Sequence, residues 1–411
     1  MRLRPERSTA ATRAPRCGCS PGSWPHVGSR PCSPATRACA PDRWNACPPR
    51  FARWGITLCL FLLAAVLPYL IPYLSARSNY WVAIILKIGL AALLALGLNI
   101  VVGFAGLLDL GYVAFFAIGA YTYAIMTGAV RFTLAQRESL PNFAELIPTF
   151  HMYFWLILFA AMAVALVAGV ILGTPTLRLR GDYLAIVTLG FGEIVRIVAQ
   201  NLRGFTGGPL GVKSIPHPAV NVGSVHYDFG LNNNPYYWLV LVLISIVIFF
   251  VHRVNNSRVG RAWAAIREDE IAAAAMGVPT VRMKLLAFAT GASIAAIAGV
   301  IYASQIIFIN PQIATLLNPT FGSIIVLSMV VLGGMGGVWG PILGAAAIIF
   351  LPEYFRTLGD ARFLVFGAAL VVIMIFRPQG LIPSRRRAAE LTGHEMHEGT
   401  VFETQHGVTS A

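Results

Sequence analysis

Charge is what this 411-residue chain has least of. Charged residues make up 12% of it, about half of the ~25% usual in a soluble domain. Hydrophobic residues reach 57% and the mean hydropathy is +0.69. No soluble core needs so much apolar side chain, so the excess has to face lipid or other buried helices. Catalytic sets are missing too. There is no His-Glu-x-x-His, no Gly-x-Ser-x-Gly and no paired intramembrane carboxylate, and the eight histidines are scattered through tails, loops and span ends. A membrane hydrolase or metalloenzyme needs polar residues converging at membrane depth. The chain therefore reads as no enzyme, with no catalytic residue, no metal and no cofactor. Gly207-Gly208-Pro209-Leu210-Gly211-Val212-Lys213-Ser214 mimics a phosphate-binding loop but places Val212 where that loop needs glycine.

The net charge of +14 suggests nucleic acid until it is located. Residues 1–53 hold ten arginines against Glu6 and Asp42, which accounts for +8 of it. The remainder sits in short loops, as expected of topological Lys and Arg beside membrane helices rather than a nucleic-acid partner. Cys17, Cys19, Cys32, Cys39 and Cys47 also fall in this segment. Cys17-Gly18-Cys19 has no matched second pair at zinc spacing, so no metal is assigned to it. Cys59 reads as a small core residue. With Pro and Ser abundant and no aliphatic run, 1–53 is expected to be disordered. No apolar secretory core precedes Trp54.

What the chain does have is apolar runs of spanning length. They cover 54–74, 81–102, 112–129, 151–173, 183–200, 236–252, 285–309, 321–350 and 363–376, against the ~20 residues that cross ~30 Å of hydrocarbon. The stretch 321–350 is too long for one span. It is broken by Gly333-Gly334-Met335-Gly336-Gly337 and is divided in two, giving about ten crossings. The fold class is all-α: a polytopic membrane protein with glycine-broken hairpins, spanning 54–383, with a disordered tail over 384–411. The loop 253–284 carries Arg253, Arg258, Arg261, Arg267, Arg282 and Lys284 against three acids. Arg178 and Arg180, then Arg377 and Arg385-Arg386-Arg387, fall on the same side if ten spans start from a cytoplasmic N-terminus. Both termini are then cytoplasmic. The segment Val101-Val102-Gly103-Phe104-Ala105-Gly106 looks like Val330-Val331-Leu332-Gly333-Gly334-Met335-Gly336-Gly337. Each is read as opening a glycine-broken hairpin, in the manner of a diverged internal repeat.

Polar residues within spans are few: Asn99, Asp109, Glu193, Arg196, Gln305 and Asn310. Each costs a few kcal/mol in lipid and should face a neighbouring helix or a water-filled path. Asn99, Glu193, Arg196 and Gln305 are candidates for lining a path or for locking helices together. Glu193 and Arg196, three apart, can pair. Asp109 lies in a glycine-rich break expected near the cytoplasmic face, where partial hydration would satisfy it. The cytoplasmic segment 257–284 is the most informative. Residues 257–267 read as a helix. Glu268, Asp269 and Glu270 open a second, short helix through Ala272, Ala273 and Met276, which Gly277 and Pro279 stop. A short, Ala-rich helix beside the membrane is what docking into a partner's groove requires.

Several motifs occur in order. They run Leu96-Gly97-Leu98-Asn99 through Gly119-Ala120-Tyr121; Arg180-Gly181-Asp182-Tyr183 through Gly192-Glu193-Ile194-Val195-Arg196; Thr206-Gly207-Gly208-Pro209-Leu210-Gly211; Gly260-Arg261-Ala262-Trp263; Arg267-Glu268-Asp269-Glu270-Ile271-Ala272-Ala273; Met329 through Gly336; and Phe376-Arg377-Pro378-Gln379-Gly380-Leu381. In these, residues 55–383 resemble the inner-membrane permease subunits of branched-chain amino acid ABC importers, of the LivM type. The resemblance implies a bacterial inner-membrane location and a path shared with a second homologous permease of the LivH type. Two cytoplasmic ATPase subunits, a periplasmic amino-acid-binding protein and membrane lipid are the other implied partners. It makes the 268–276 helix the coupling helix, with Glu268, Asp269 and Glu270 orienting it and Ala272, Ala273 and Met276 filling the groove. Two departures from the family pattern are Gly277, seven rather than six residues after Glu270, and the bulky Val338-Trp339 after the glycine run. Urea, short amides or other amino acids remain alternative cargoes, and an ion-coupled secondary transporter the rival mechanism.

Overall fold

The computed structural model describes residues 78–130, 154–176, 181–222, 225–230, 232–315, 318, 321–356 and 380–382, with seven helical positions between 361 and 375. All belong to one unit, Cys59–Ala411. The expected span 54–74, the segment 1–53 and the tail 384–411 lie outside the described residues.

Apolar runs become helices because every backbone N–H and C=O in hydrocarbon must be satisfied within its own segment. Helix α1 (Ser78–Leu98) runs straight into a π-helical turn, Asn99–Phe104. There follow α2 (Val113–Met126), α3 (Phe154–Thr176), α4 (Gly181–Asn201), α5 (Asn233–Asn255), α6 (Arg258–Glu268), α7 (Glu270–Ala275), α8 (Thr280–Ile306), α9 (Ser323–Gly333) and α10 (Trp339–Tyr354). Among the described residues, five helices are long and apolar enough to cross a membrane: Asn79–Phe104, Phe154–Thr176, Tyr183–Asn201, Asn233–Asn255 and Thr280–Ile306.

These five divide by burial. The first and last are 78% buried, whereas α3, α5 and α4 are 39%, 33% and 28% buried. So α1 and α8 form the centre, and the other three leave broad apolar faces such as Phe159, Ile171, Ile186 and Ile246 uncovered by this chain. Contact at the centre depends on small residues. A Cβ at Gly119 would stand 2.5 Å from Ala296 Cα, and one at Gly299 would stand 2.9 Å from Ala120 N. Backbones approach this closely only where side chains are absent, which is how helices associate in lipid. Tyr112 adds a polar tie, its hydroxyl donating to Gly291 O at 3.1 Å.

Three expected crossings are helical over only part of their length. The helices α2, α9 and α10 have 14, 11 and 16 residues, or about 21, 16 and 24 Å at 1.5 Å per residue. The non-helical stretch before α2 turns at Gly106, whose φ is +73°. The stretch before α9 contains a short 3₁₀ turn, Pro311–Ala314. The break after α9 falls at the expected glycines. The connection between α4 and α5 contains an antiparallel hairpin of β1 (Ala219–Val222) and β2 (Val225–Asp228), with Val222 opposite Val225. Alternating valines and a two-residue connection suit it.

Two ends of the bundle can be told apart by their ties. At one, the π turn, the 334–337 turn and α6 meet. At the other, Tyr80 donates to Glu353, Arg356 Nη1 reaches Glu353 at 3.2 Å, Tyr123 OH donates to Pro216 O at 2.9 Å, and Val212 exchanges backbone hydrogen bonds with Ile309.

Candidate functional site

The linker between α5 and α8 folds by local rules. Ser257 caps α6, its hydroxyl accepting from the N–H groups of Val259 and Gly260 at 3.2 and 3.4 Å. Asp269 caps α7, accepting from Ile271 N and Ala272 N at 2.8 and 3.1 Å. Each cap satisfies peptide donors that a helix start leaves open and contributes ~1 kcal/mol. Gly277 ends α7 with φ +83°. Trp263 is buried in α6 and its Nε1 donates to Met283 O at 2.8 Å. Lys284 Nζ, nearly buried at the start of α8, pairs with Glu270 Oε1 at 2.5 Å. The linker is thus fixed to the bundle at both helices.

One face of α7 is bound inward and the other is free. Ala273 is 4% exposed, while Ile271 and Met276 are 78% and 84% exposed. Of Ala272, Ala273 and Met276, expected to fill a partner's groove, Ala273 is buried against its own chain, and Ile271 is a further large exposed side chain on this helix. Glu268 is also displaced from its expected position: it closes α6, and α7 begins after the Asp269 cap.

Behind the linker lie both glycine breaks. Arg267 Nη1 donates to Gly103 O at 2.7 Å. In the same π turn Asn99, fully buried, donates from Nδ2 to Gly337 O at 2.7 Å and accepts from Gly336 N at 3.1 Å. A Cβ at Gly103 would stand 2.8 Å from Gly336 N, so only glycine lets the second break seat against the first. Leu381 N and Ile382 N donate to Leu332 O and Gly333 O at 2.8 and 3.0 Å, closing the turn from the other side.

A family model described as "Branched-chain amino acid transport system / permease component" matches residues 80–376. The chain belongs to this permease family. Among its relatives, the high-affinity branched-chain amino acid transport system permease protein LivM of Salmonella typhimurium is 38% identical over 81% of this chain and 76% of its own. The LivM protein of Escherichia coli is 39% identical over the same shares. The LivH permease of Salmonella typhimurium is 30% identical over 35% of this chain and 46% of its own. No solved structure matches. The permease is a multi-pass membrane protein and a transport subunit rather than an enzyme.

The permease keeps its candidate polar residues apart. Asn99 locks elements together. Glu193 and Arg196 do not: Arg196 Nε donates to Glu193 Oε1 at 2.7 Å within α4, and both side chains are part-exposed on the least buried span. Gln305 sits part-buried in the last turn of α8, remote from Asn99. Asp109 is not hydrated as expected. It is fully buried beside α4, accepting from Gly111 N at 2.9 Å, while Leu110 N donates to Thr188 Oγ1 at 3.0 Å. Among the described residues no three His, Cys, Asp or Glu cluster as metal ligands.

Sequence reasoning passed over Arg267, Lys284 and Ile271. A signal existed for the first. Arg267 is four residues beyond Trp263 and seven beyond Gly260, on the stripe that α6 buries. Lys284 and Ile271 gave none, because one resembled any topological lysine and the other any loop hydrophobe.

Proposed function

We propose that this chain forms half of the translocation path of an ATP-binding cassette importer for branched-chain amino acids. The end bearing Arg267 faces the cytoplasm and α7 docks into an ATPase subunit. The observation that carries this reading is the pair Ile271 and Met276, two large apolar side chains exposed on a helix that is capped at its start and pinned to α8 through Lys284 and Glu270. Exposed anchors on a rigid, pre-ordered helix avoid the ordering cost of binding, and a load-transmitting contact needs that rigidity. The basic excess of residues 253–284 supports the cytoplasmic side.

The second half of the path is a homologous permease, and α4 faces it. A part-exposed Glu193–Arg196 pair on an otherwise apolar span is costly against hydrocarbon. It is accommodated where another subunit and a hydrated path cover it. The branched-chain amino acid transport named for the family and its relatives favours leucine, isoleucine and valine as cargo; delivery by a periplasmic binding protein is part of this proposal.

Ile271→Arg tests the docking role. The variant should insert and fold, yet fail to co-purify with the ATPase subunits and lose ATP-dependent leucine uptake in proteoliposomes. Co-purification at the wild-type level would remove α7 from the interface. The cargo is read separately by competition: unlabelled isoleucine and valine should suppress leucine uptake, and urea should not.

A further inference from the structure

Arg267 stands where two kinds of structure meet. It is the penultimate residue of α6, two positions before the Asp269 cap, so it moves with the linker that carries α7. Its guanidinium leaves that linker and ends on Gly103 O, 2.7 Å away, inside the π turn of α1. Its stem packs on the next glycine: a Cβ at Gly106 would stand 2.8 Å from Arg267 Cγ. From the same π turn, Asn99 holds Gly336 and Gly337, the loop between α9 and α10. Three elements far apart in sequence are thus joined in series by one guanidinium and one amide.

We infer that Arg267 is a positioning residue that transmits displacement of the α7 linker to both glycine breaks of the path, with Asn99 as the second link. This rests on the proposed docking of α7. The chemistry suits the task. A charged donor on a neutral carbonyl is stronger than a neutral pair. Its receiver is also unusual. A π turn widens the helix by one residue and recurs at functional positions, and here it ends at Phe104, two residues before Gly106, where φ is +73° and the chain turns away. Force applied to Gly103 O therefore acts at the point where α1 stops being a regular helix. On the far side, Gly334 and Gly336 have φ of +108° and +82°, which only glycine adopts without strain. The route runs between two places where the backbone can turn, and Asn99 and Gly103 on it are buried.

The experiment uses the complete transporter, with its ATPases and binding protein, in proteoliposomes loaded with ATP. Arg267→Ala should co-purify with the ATPases and hydrolyse ATP, while leucine imported per ATP falls about tenfold, the scale of one lost charge-assisted hydrogen bond. Arg267→Lys, which keeps the charge, should recover part of that ratio, and Asn99→Ala should lower it without altering ATPase binding. In the double variant the losses should not multiply, because both residues serve one route. A wild-type transport-to-hydrolysis ratio in assembled Arg267→Ala overturns the inference. If that variant does not assemble, the same ratio in Arg267→Lys and Asn99→Ala decides it, and wild-type values in both overturn it. Ile271→Arg is run alongside: retained ATPases there refute the docking itself, whereas lost ATPases with a coupled Arg267→Ala refute only the relay.

Discussion

The two glycine breaks are near-copies in sequence and opposites in structure. Val101 to Phe104 stays helical within the π turn, and the chain then turns at Gly106, which alone in this break takes a positive φ. Val330 to Gly337 ends its helix outright and reverses through Gly334 and Gly336, both at positive φ. The difference lies upstream. Asn99 precedes the first break and supplies an amide that both donates and accepts, whereas the second offers bare peptide groups to be held. One behaves as a socket and the other as the piece that enters it. Similar composition has produced complementary halves.

Three substitutions test that contrast, in falling order of effect. Gly333→Ala should be the most damaging. Its Cβ would stand 3.0 Å from Pro341 N and closer still to the Gly340 carbonyl, so α9 and α10 are forced apart. Overpacking against backbone costs ~1–3 kcal/mol or more, read as lost folded yield and earlier thermal unfolding in detergent. Gly106→Ala should cost about 1–2 kcal/mol from backbone strain, and the added clash of its Cβ with the Arg267 stem should be eased when Arg267 is shortened. Gly337→Ala should shift stability by no more than about 0.5 kcal/mol, because nothing lies within 4 Å of its Cβ and its φ is ordinary. Equal damage at Gly333 and Gly337 would mean that the second break is loosely seated and the contrast false.

The sequence reveals most where the physics is local. Long apolar runs become α1, α3, α4, α5 and α8 because length and hydropathy suffice. The split between α6 and α7 was equally visible, since Ser257, Asp269 and Gly277 act on peptide groups within three residues of themselves. What escaped was set by distant partners. Asn99 could have lined a path or locked helices, and its role was decided by a turn more than two hundred residues away. The burial of Ala273 depends on how α7 lies against the bundle, which an alanine-rich stretch does not encode on either face. Asp109 looked hydrated because its glycine neighbours suggested a surface loop, yet that loop passes between helices.

The residues that close the glycine turn come late in the chain. Leu381 and Ile382 cap carbonyls of Leu332 and Gly333 only after the helical positions between 361 and 375 have been made. At the usual pace of synthesis, several seconds separate the turn from its clasp. During that interval the newborn hairpin has two backbone acceptors without these donors. A chain arrested in that interval would therefore hold the hairpin without its clasp.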